Sequence, residues 1–389
     1  MKVGWHMTVI ETPPFKVQRL GVIMRPDPSL EAEVEGVLNP GAARGPDGEL
    51  YLFPRVVGKN NYSRIAIARV LFNDEGNPYD VERIGYALEP QEPYELRPNE
   101  STGGCEDPRI TFVKQIGLYV MAYVAWGPNG PRIALAVSEN LLAWERLGVV
   151  DFQPDVEAQY GVIFNNYHNK DAAFFPDAIP LRDGTLVLGM LHRPFYDSPS
   201  NAPKGIRESL PSIWVSGCEL EWAVRDIRNL RVMRKHALLI DPDHPWEQLR
   251  IGVGTPPLAT SLGYFMLYHG VSGEIARTAG ETNRVEYVAG VLVLRRENDK
   301  LLEYRSSAPI LIPEVAEETA GTVDNVVFPT GVDDRGNGTV DVYYGMADKY
   351  IGAARVWLPA SLEYTTRDMV EVERLERLEN FGKDCNHLL

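Results

Sequence analysis

A glycine followed by a run of apolar residues recurs five times, at Gly48 (GELYLFPR), Gly117 (GLYVMAYV), Gly184 (GTLVLGML), Gly263 (GYFMLYHG) and Gly338 (GTVDVYYG). The steps between them are 69, 67, 79 and 75 residues. Asp47, Asp183 and Asn337 precede three of these glycines, which is the signature of a tight hairpin. Each run is followed by a second apolar stretch, such as SRIAIARV or PRIALAVS, and preceded by a third, such as NPGAAR or EDPRITFV. One unit is therefore strand, hairpin, strand and at least one strand more. Long helical patterns are nearly absent. Two β-domains or a sandwich could carry such strands, but five copies at a near-constant period favour radial repetition, because each sheet must cover both faces with neighbours. The expected fold is all-β, a five-bladed β-propeller forming one domain over residues 1–389. It carries an N-terminal extension (about residues 1–30) and an amphipathic helical tail (about residues 366–389).

The chain of 389 residues is 44% hydrophobic, yet no apolar run reaches the length of about 18 residues that a membrane helix needs. The first residues, MKVGWHMTVIETPP, lack the apolar core of a secretory leader. Three cysteines without metal-ligand spacing suggest a reducing compartment, so a cytoplasmic location is expected. A net charge of −15 argues against nucleic acid and anionic membranes as partners. An anionic substrate would need a basic cluster of its own.

Such a cluster emerges when the units are compared. The stretches preceding the glycines begin with Asn39, with Glu106 and Asp107, with Lys170 and Asp171, with Arg250, and with Asp324 and Asn325. The runs after the glycines end in Arg55, in His192 and Arg193, in Tyr268 and His269, and in Asp348, while Arg64 opens the next stretch of the first unit. Polar residues in register across five repeats point to side chains converging on one funnel. Taken singly, each has a plainer reading: an arginine as the partner of a neighbouring carboxylate, His269 as a core histidine, Glu106 as an ion-pair partner of Arg109. Hydrolytic glycosidases ordinarily need two carboxylates. Phosphorolysis needs one acid, because phosphate is itself the nucleophile, together with cations to hold that anion. Five cations, Arg55, Arg64, Lys170, Arg193 and Arg250, facing few carboxylates would repel one another unless an anion joined them. No phosphate-cradling glycine loop, GxSxG elbow or metal-ligand spacing is present, and no cofactor is expected beyond inorganic phosphate as co-substrate.

The pieces NPGAAR, FPRV, SRIAIAR, CEDPRI, KDAAFFPD, LHRP, PSIW, GTPP, YHGV and YYGMAD occur in order between about residues 38 and 354. In this the chain resembles glycoside hydrolase family 130, the β-mannoside phosphorylases and their hydrolase relatives. The resemblance implies a five-bladed propeller and inverting phosphorolysis of a β-mannoside to α-D-mannose 1-phosphate. It implies Asp107 as the acid, acting through the mannosyl 3-hydroxyl. It also implies a phosphate site of Arg55, Arg64, Lys170, Arg193 and Arg250 with Tyr268 and His269 close by. Asn39 and Asp348 match positions that touch the mannosyl unit or the phosphate. Glu106 and Asp171 complete the expected substrate contacts. Some phosphorylases carry Arg-Asn where this chain has Lys170-Asp171, so the phosphate geometry and the acceptor stay open, as does the choice between β-1,2 and β-1,4 linkages. A homo-oligomer is expected. The competing readings are a β-mannosidase, a non-catalytic sugar-binding propeller, and an arabinan-type glycosidase using Glu274 or Asp324 as second carboxylate.

Overall fold

All five repeat glycines take left-handed backbone angles, with φ of 83° at Gly48, 66° at Gly117, 83° at Gly184, 125° at Gly263 and 77° at Gly338. Each turns the chain between the first two strands of an antiparallel meander, a conformation that glycine adopts without steric cost. The computed structural model describes residues 13–97, 103–154, 163–181, 183–196, 210–275, 284–296 and 302–362. The expected tail helix and most of the loop from Phe195 to Ser209 lie outside these residues.

Meander one comprises Gly36–Arg44, Leu50–Gly58, Tyr62–Phe72 and Pro78–Leu88. Meander two comprises Gly103–Val113, Leu118–Gly127, Gly130–Ser138 and Glu145–Val149. These two are joined into one eight-stranded sheet only by a short parallel contact, Tyr62 with Gly103 and Ser63 with Gly104. Meander three runs through Asn169–Phe174, Leu186–Pro194, Ile213–Glu219 and Val232–Ile240. Meander four runs through Arg250–Val253, Gly263–Glu274, Arg284–Leu294 and Leu302–Arg305. Meander five takes Val327–Asp334, Thr339–Met346 and Tyr350–Trp357 from the end of the chain. Its fourth strand, Lys16–Met24, comes from the beginning and pairs antiparallel with Tyr350–Trp357. The supposed N-terminal extension is thus in part a structural strand. Its alternation of half-buried and exposed residues matches an outer strand, a short signal that a count of repeats does not register.

The cores lie between successive meanders. Phe53 and Ile65 pack with Ile110 and Met121, and Val113 and Val120 with Phe174 and Trp214. Leu191 and Ile240 pack with Ile251 and Met266, and Phe265 and Val293 with Val340 and Val342. Tyr343 and Ile351 of meander five return to Val37 and Leu50 of meander one. The first strands meet in the same order. Thr111 Oγ1 donates to Phe174 O at 3.1 Å, and Thr330 Oγ1 to Pro40 O at 3.0 Å. A side chain at Gly41 would lie 3.1 Å from Pro108 O, and one at Gly254 3.0 Å from Pro329 O. Among the described residues no helix is long and apolar enough to cross a membrane.

Candidate active site

The first strands of meanders one, two and three share a defect. Their pairing with the second strand slips between Leu38 and Gly41, between Glu106 and Arg109, and between Lys170 and Ala173. In each slip an Asn or Asp is left-handed: Asn39 at φ 46°, Asp107 at 46° and Asp171 at 54°. Asn and Asp tolerate this region better than other side-chain-bearing residues, and a bulge of this kind re-aims the side chain. All three line a cavity of about 860 Å³ at the meeting of the first strands. Meander four has no bulge here. It has Gly252, where a Cβ would come within 2.4 Å of Asp171 Oδ2 and of the His269 ring. Asp348, itself left-handed at φ 51°, enters from the end of the second strand of meander five.

Second strands of meanders one, three and four contribute residues from the same level. Arg55 pairs with Leu38, Arg193 with Lys170, and His269 with Gly252, and all three line the cavity. Neighbouring residues on a strand face opposite sides. Tyr268 accordingly points away into the interior, where its hydroxyl donates to Glu247 Oε1 at 2.7 Å. Its expected place at the phosphate site is therefore corrected. Arg64 is corrected too. It sits on the third strand opposite Val56, pairs with Glu89 at 3.3 Å, and lines a separate cavity of about 390 Å³. Glu106 is fully buried behind the cavity and does not line it. Glu274 is exposed, and Asp324 binds the Gly321 amide at 3.1 Å, so neither supplies a second carboxylate there.

On one side of the cavity Asp107 Oδ1 accepts from Asn39 Nδ2 at 2.9 Å and from Arg55 Nη1 at 3.3 Å. Glu106 binds Arg55 Nη2 at 2.9 Å and Lys170 Nζ at 3.5 Å. Burial pushes the Asp107 carboxyl up, but the charges of Arg55 and Lys170 and the Asn39 bond outweigh it and hold the group below its usual range. Asp348 goes the other way. Burial, with Asp107 and Glu106 nearby, raises it to about 6 against the opposing charges of Arg55 and Lys170.

On the other side Asp171 accepts from Arg193 Nε at 2.7 Å and lies 3.5 Å from Arg109 Nη2. Burial would raise Asp171, and the Arg193 charge foremost overcomes it and holds the carboxyl far below its usual range. Burial lowers His269 to about 3, with Asp171 opposing, so the ring is neutral at neutral pH. Arg250 donates to the Tyr287 hydroxyl. Arg109 does not pair with Glu106. It is buried and donates to Gly254 O at 2.9 Å and Val253 O at 2.8 Å, tying meander two to meander four.

The expected imbalance of unpaired cations is accordingly smaller than the sequence suggested, since Arg55, Lys170 and Arg193 each have a carboxylate. Among the described residues, three buried polar atoms around the cavity nevertheless lack a partner: Asn39 Oδ1, Arg193 Nη1 and His269 Nδ1. Unsatisfied buried groups clustered at one cavity mark a place built for a polar ligand. Trp126, Phe195, Tyr287 and Phe328 also line it, with Lys170 Nζ 4.5 Å from the Trp126 ring centre and the Arg193 guanidinium 4.5 Å from that of Phe195. Sequence reasoning missed these aromatics. Trp126 and Phe195 stand at strand ends beside Gly127 and Pro194, where an apolar residue no longer serves the core, and that was the available signal.

A family model described as beta-1,4-mannooligosaccharide phosphorylase matches residues 10–365. The chain is 35% identical over 255 residues to a 1,2-beta-oligomannan phosphorylase of Thermoanaerobacter sp., covering 64% of this chain and 67% of that protein. It is 28% identical over 246 residues to a beta-1,4-mannooligosaccharide phosphorylase of Ruminococcus albus, covering 61% and 65%. The matched stretches thus span about two thirds of those relatives. The solved beta-1,2-mannobiose phosphorylase of Listeria innocua, in complex with beta-1,2-mannobiose, superposes with a TM-score of 0.61 at 24% identity over 87% of this chain and 96% of that one, a likeness of fold. The bulge-borne carboxylates and the arginines around them therefore sit in a chain that belongs to glycoside hydrolase family 130.

Proposed function

We propose that the five meanders close as a five-bladed propeller and that its central cavity phosphorolyses β-mannosides, with inversion, to α-D-mannose 1-phosphate. The observation that carries this reading is the division of the cavity into a carboxylate side around Asp107 and a cationic side where Arg193 keeps a buried, unpartnered Nη1. A mannosyl ring fits between them, with the leaving oxygen towards Asp107 and the phosphate towards Arg193, Arg250 and Lys170. The reaction balances in protons, because dianionic hydrogen phosphate brings one and the departing alcohol needs one. The charges of Arg55 and Lys170 keep Asp107 ionised in the free protein. A bound dianion offsets the charges of Arg55 and Lys170 that hold its proton off, and so readies the carboxyl to relay a proton to the leaving oxygen. Similarity to relatives acting on β-1,2 and on β-1,4 mannosides supports the mannoside class without choosing a linkage. The test is sugar release from β-1,2- and β-1,4-mannobiose with and without inorganic phosphate, the products followed by proton NMR. α-Mannose 1-phosphate formed only with phosphate is expected. Free mannose released at full rate without phosphate would make the protein a mannosidase.

A further inference from the structure

Among the described residues, three meanders carry the same buried trio. Glu95, Glu247 and Glu318 each lie in the segment leading into a first strand and are fully buried. Each carboxylate accepts from backbone amides three and four residues earlier: Glu92 and Gln91, His244 and Asp243, Val315 and Glu314. Each accepts a tyrosine hydroxyl from the second strand: Tyr123 at 2.6 Å, Tyr268 at 2.7 Å and Tyr344 at 2.8 Å. Each binds an arginine of the outermost strand: Arg146 at 2.9 Å, Arg305 at 2.6 Å and Arg19 at 2.9 Å. Meander one keeps only Glu33 and Arg83, with Pro54 where a tyrosine would stand.

The three complete trios differ in the cavity residue they lead to and in their access to water. From Glu247 the cavity residue Arg250 is three residues on, with no loop between. Tyr268 is the strand neighbour of His269, and His269 pairs with Gly252. The Arg305 side chain is 2% exposed, against 13% for Arg146 and 24% for Arg19, so this trio alone is sealed from water. Trp246 beside it fills the space over Gly270 and Gly290, where a Cβ would lie 2.4 Å and 2.6 Å from its ring. From Glu95 the cavity residue Arg97 is two residues on, beside a trio open to water, whereas from Glu318 the next cavity residue, Val323, is five on and apolar.

We infer that Glu247 is a positioning residue for Arg250: with Tyr268 and Arg305 it locks the segment 243–250 against meander four and so aims the guanidinium into the cavity. The inference uses the proposed function only in naming phosphate as what Arg250 holds. In Glu247→Gln the apparent KM for phosphate is expected to rise about tenfold, with the KM for mannoside within about twofold. Glu318→Gln, whose trio leads only to the apolar cavity residues Val323 and Val326, should lower the melting temperature and leave the phosphate KM in place. The deciding measurement is a double-mutant cycle. Once Arg250 is alanine, Glu247→Gln should add nothing to the phosphate KM. Full additivity, or a lowered melting temperature with unmoved constants, overturns the inference. If Glu247→Gln does not fold, Tyr268→Phe removes one hydroxyl from the same trio and is read in the same way. If the wild-type protein proves to need no phosphate, the proposed function falls. The same cycle is then read on the mannoside KM, where non-additivity supports the positioning role and additivity overturns it.

Discussion

The two sides of the cavity are built from the same bulge and do opposite things with it. Around Asp107 three carboxylates, Glu106, Asp107 and Asp348, share Arg55 and Lys170, and burial, with the two neighbouring carboxylates adding to it, raises Asp348 to about 6. Around Asp171 a single carboxylate faces Arg193 and Arg109 with His269 neutral, and the surplus of donors appears as the unpartnered Arg193 Nη1. An Asp in a left-handed bulge is thus a device for bringing a carboxylate to the centre. What it does there depends on the second-strand residues opposite. One side gathers carboxylates around shared cations, and the other is poised to gain an anion.

The sharpest way to break this contrast is to neutralise each side in turn. Asp107→Asn should keep the fold and lose at least the roughly 10²–10⁴-fold in kcat typical of an acid–base group. Turnover near that of the wild type in this variant would remove Asp107 from the chemistry. A smaller and different effect is expected from Arg193→Ala. Its loss should raise the phosphate KM by about tenfold or more while the mannoside KM stays close to that of the wild type, a separation that steady-state kinetics reads directly. Equal rises in both constants would mean that the two sides do not divide the labour. The smallest effect is one of stability. A carboxyl whose folded value is about 6, above the usual 3.8, is protonated in the folded state before the unfolded one. It therefore penalises folding above pH 6, and the penalty fades as pH falls towards 4. Asp348→Asn should then raise the melting temperature at pH 7.5 and change it little at pH 4.5. A difference independent of pH would show that Asp348 is already paired in the free protein.

Much of this architecture could be read before any coordinates, and the reason is its repetition. Five hairpin glycines announced five meanders, because a left-handed turn residue is a local demand that the sequence must meet each time. Asp107, Asp171, Asn39 and Asp348 were legible for the same cause. Tyr268 and Arg64 were misplaced because motif position says which strand a residue occupies, whereas side-chain direction depends on pairing register, and one residue along a strand reverses it. The pairing of Arg55 with Glu106 and of Arg193 with Asp171 was hidden as well, since it joins residues 51 and 22 positions apart whose approach only the fold decides. The N-terminal strand was missed because its partner lies at the far end of the chain.

That last strand has a consequence for how the molecule is made. Arg19 completes its trio with Glu318 across 299 residues, and Lys16–Met24 finds its pairing partner only when Tyr350–Trp357 has been synthesised. Four meanders can form from neighbouring segments as they emerge, whereas the seam must wait for both ends and bears the largest loop-closure entropy in the fold. Until it forms, the outer edge of Tyr350–Trp357 is an open β-edge and the buried carboxylate of Glu318 lacks its cation. The seam is thus the kinetic weak point of assembly, the place where a nascent or stressed chain offers an unpaired strand to a neighbour.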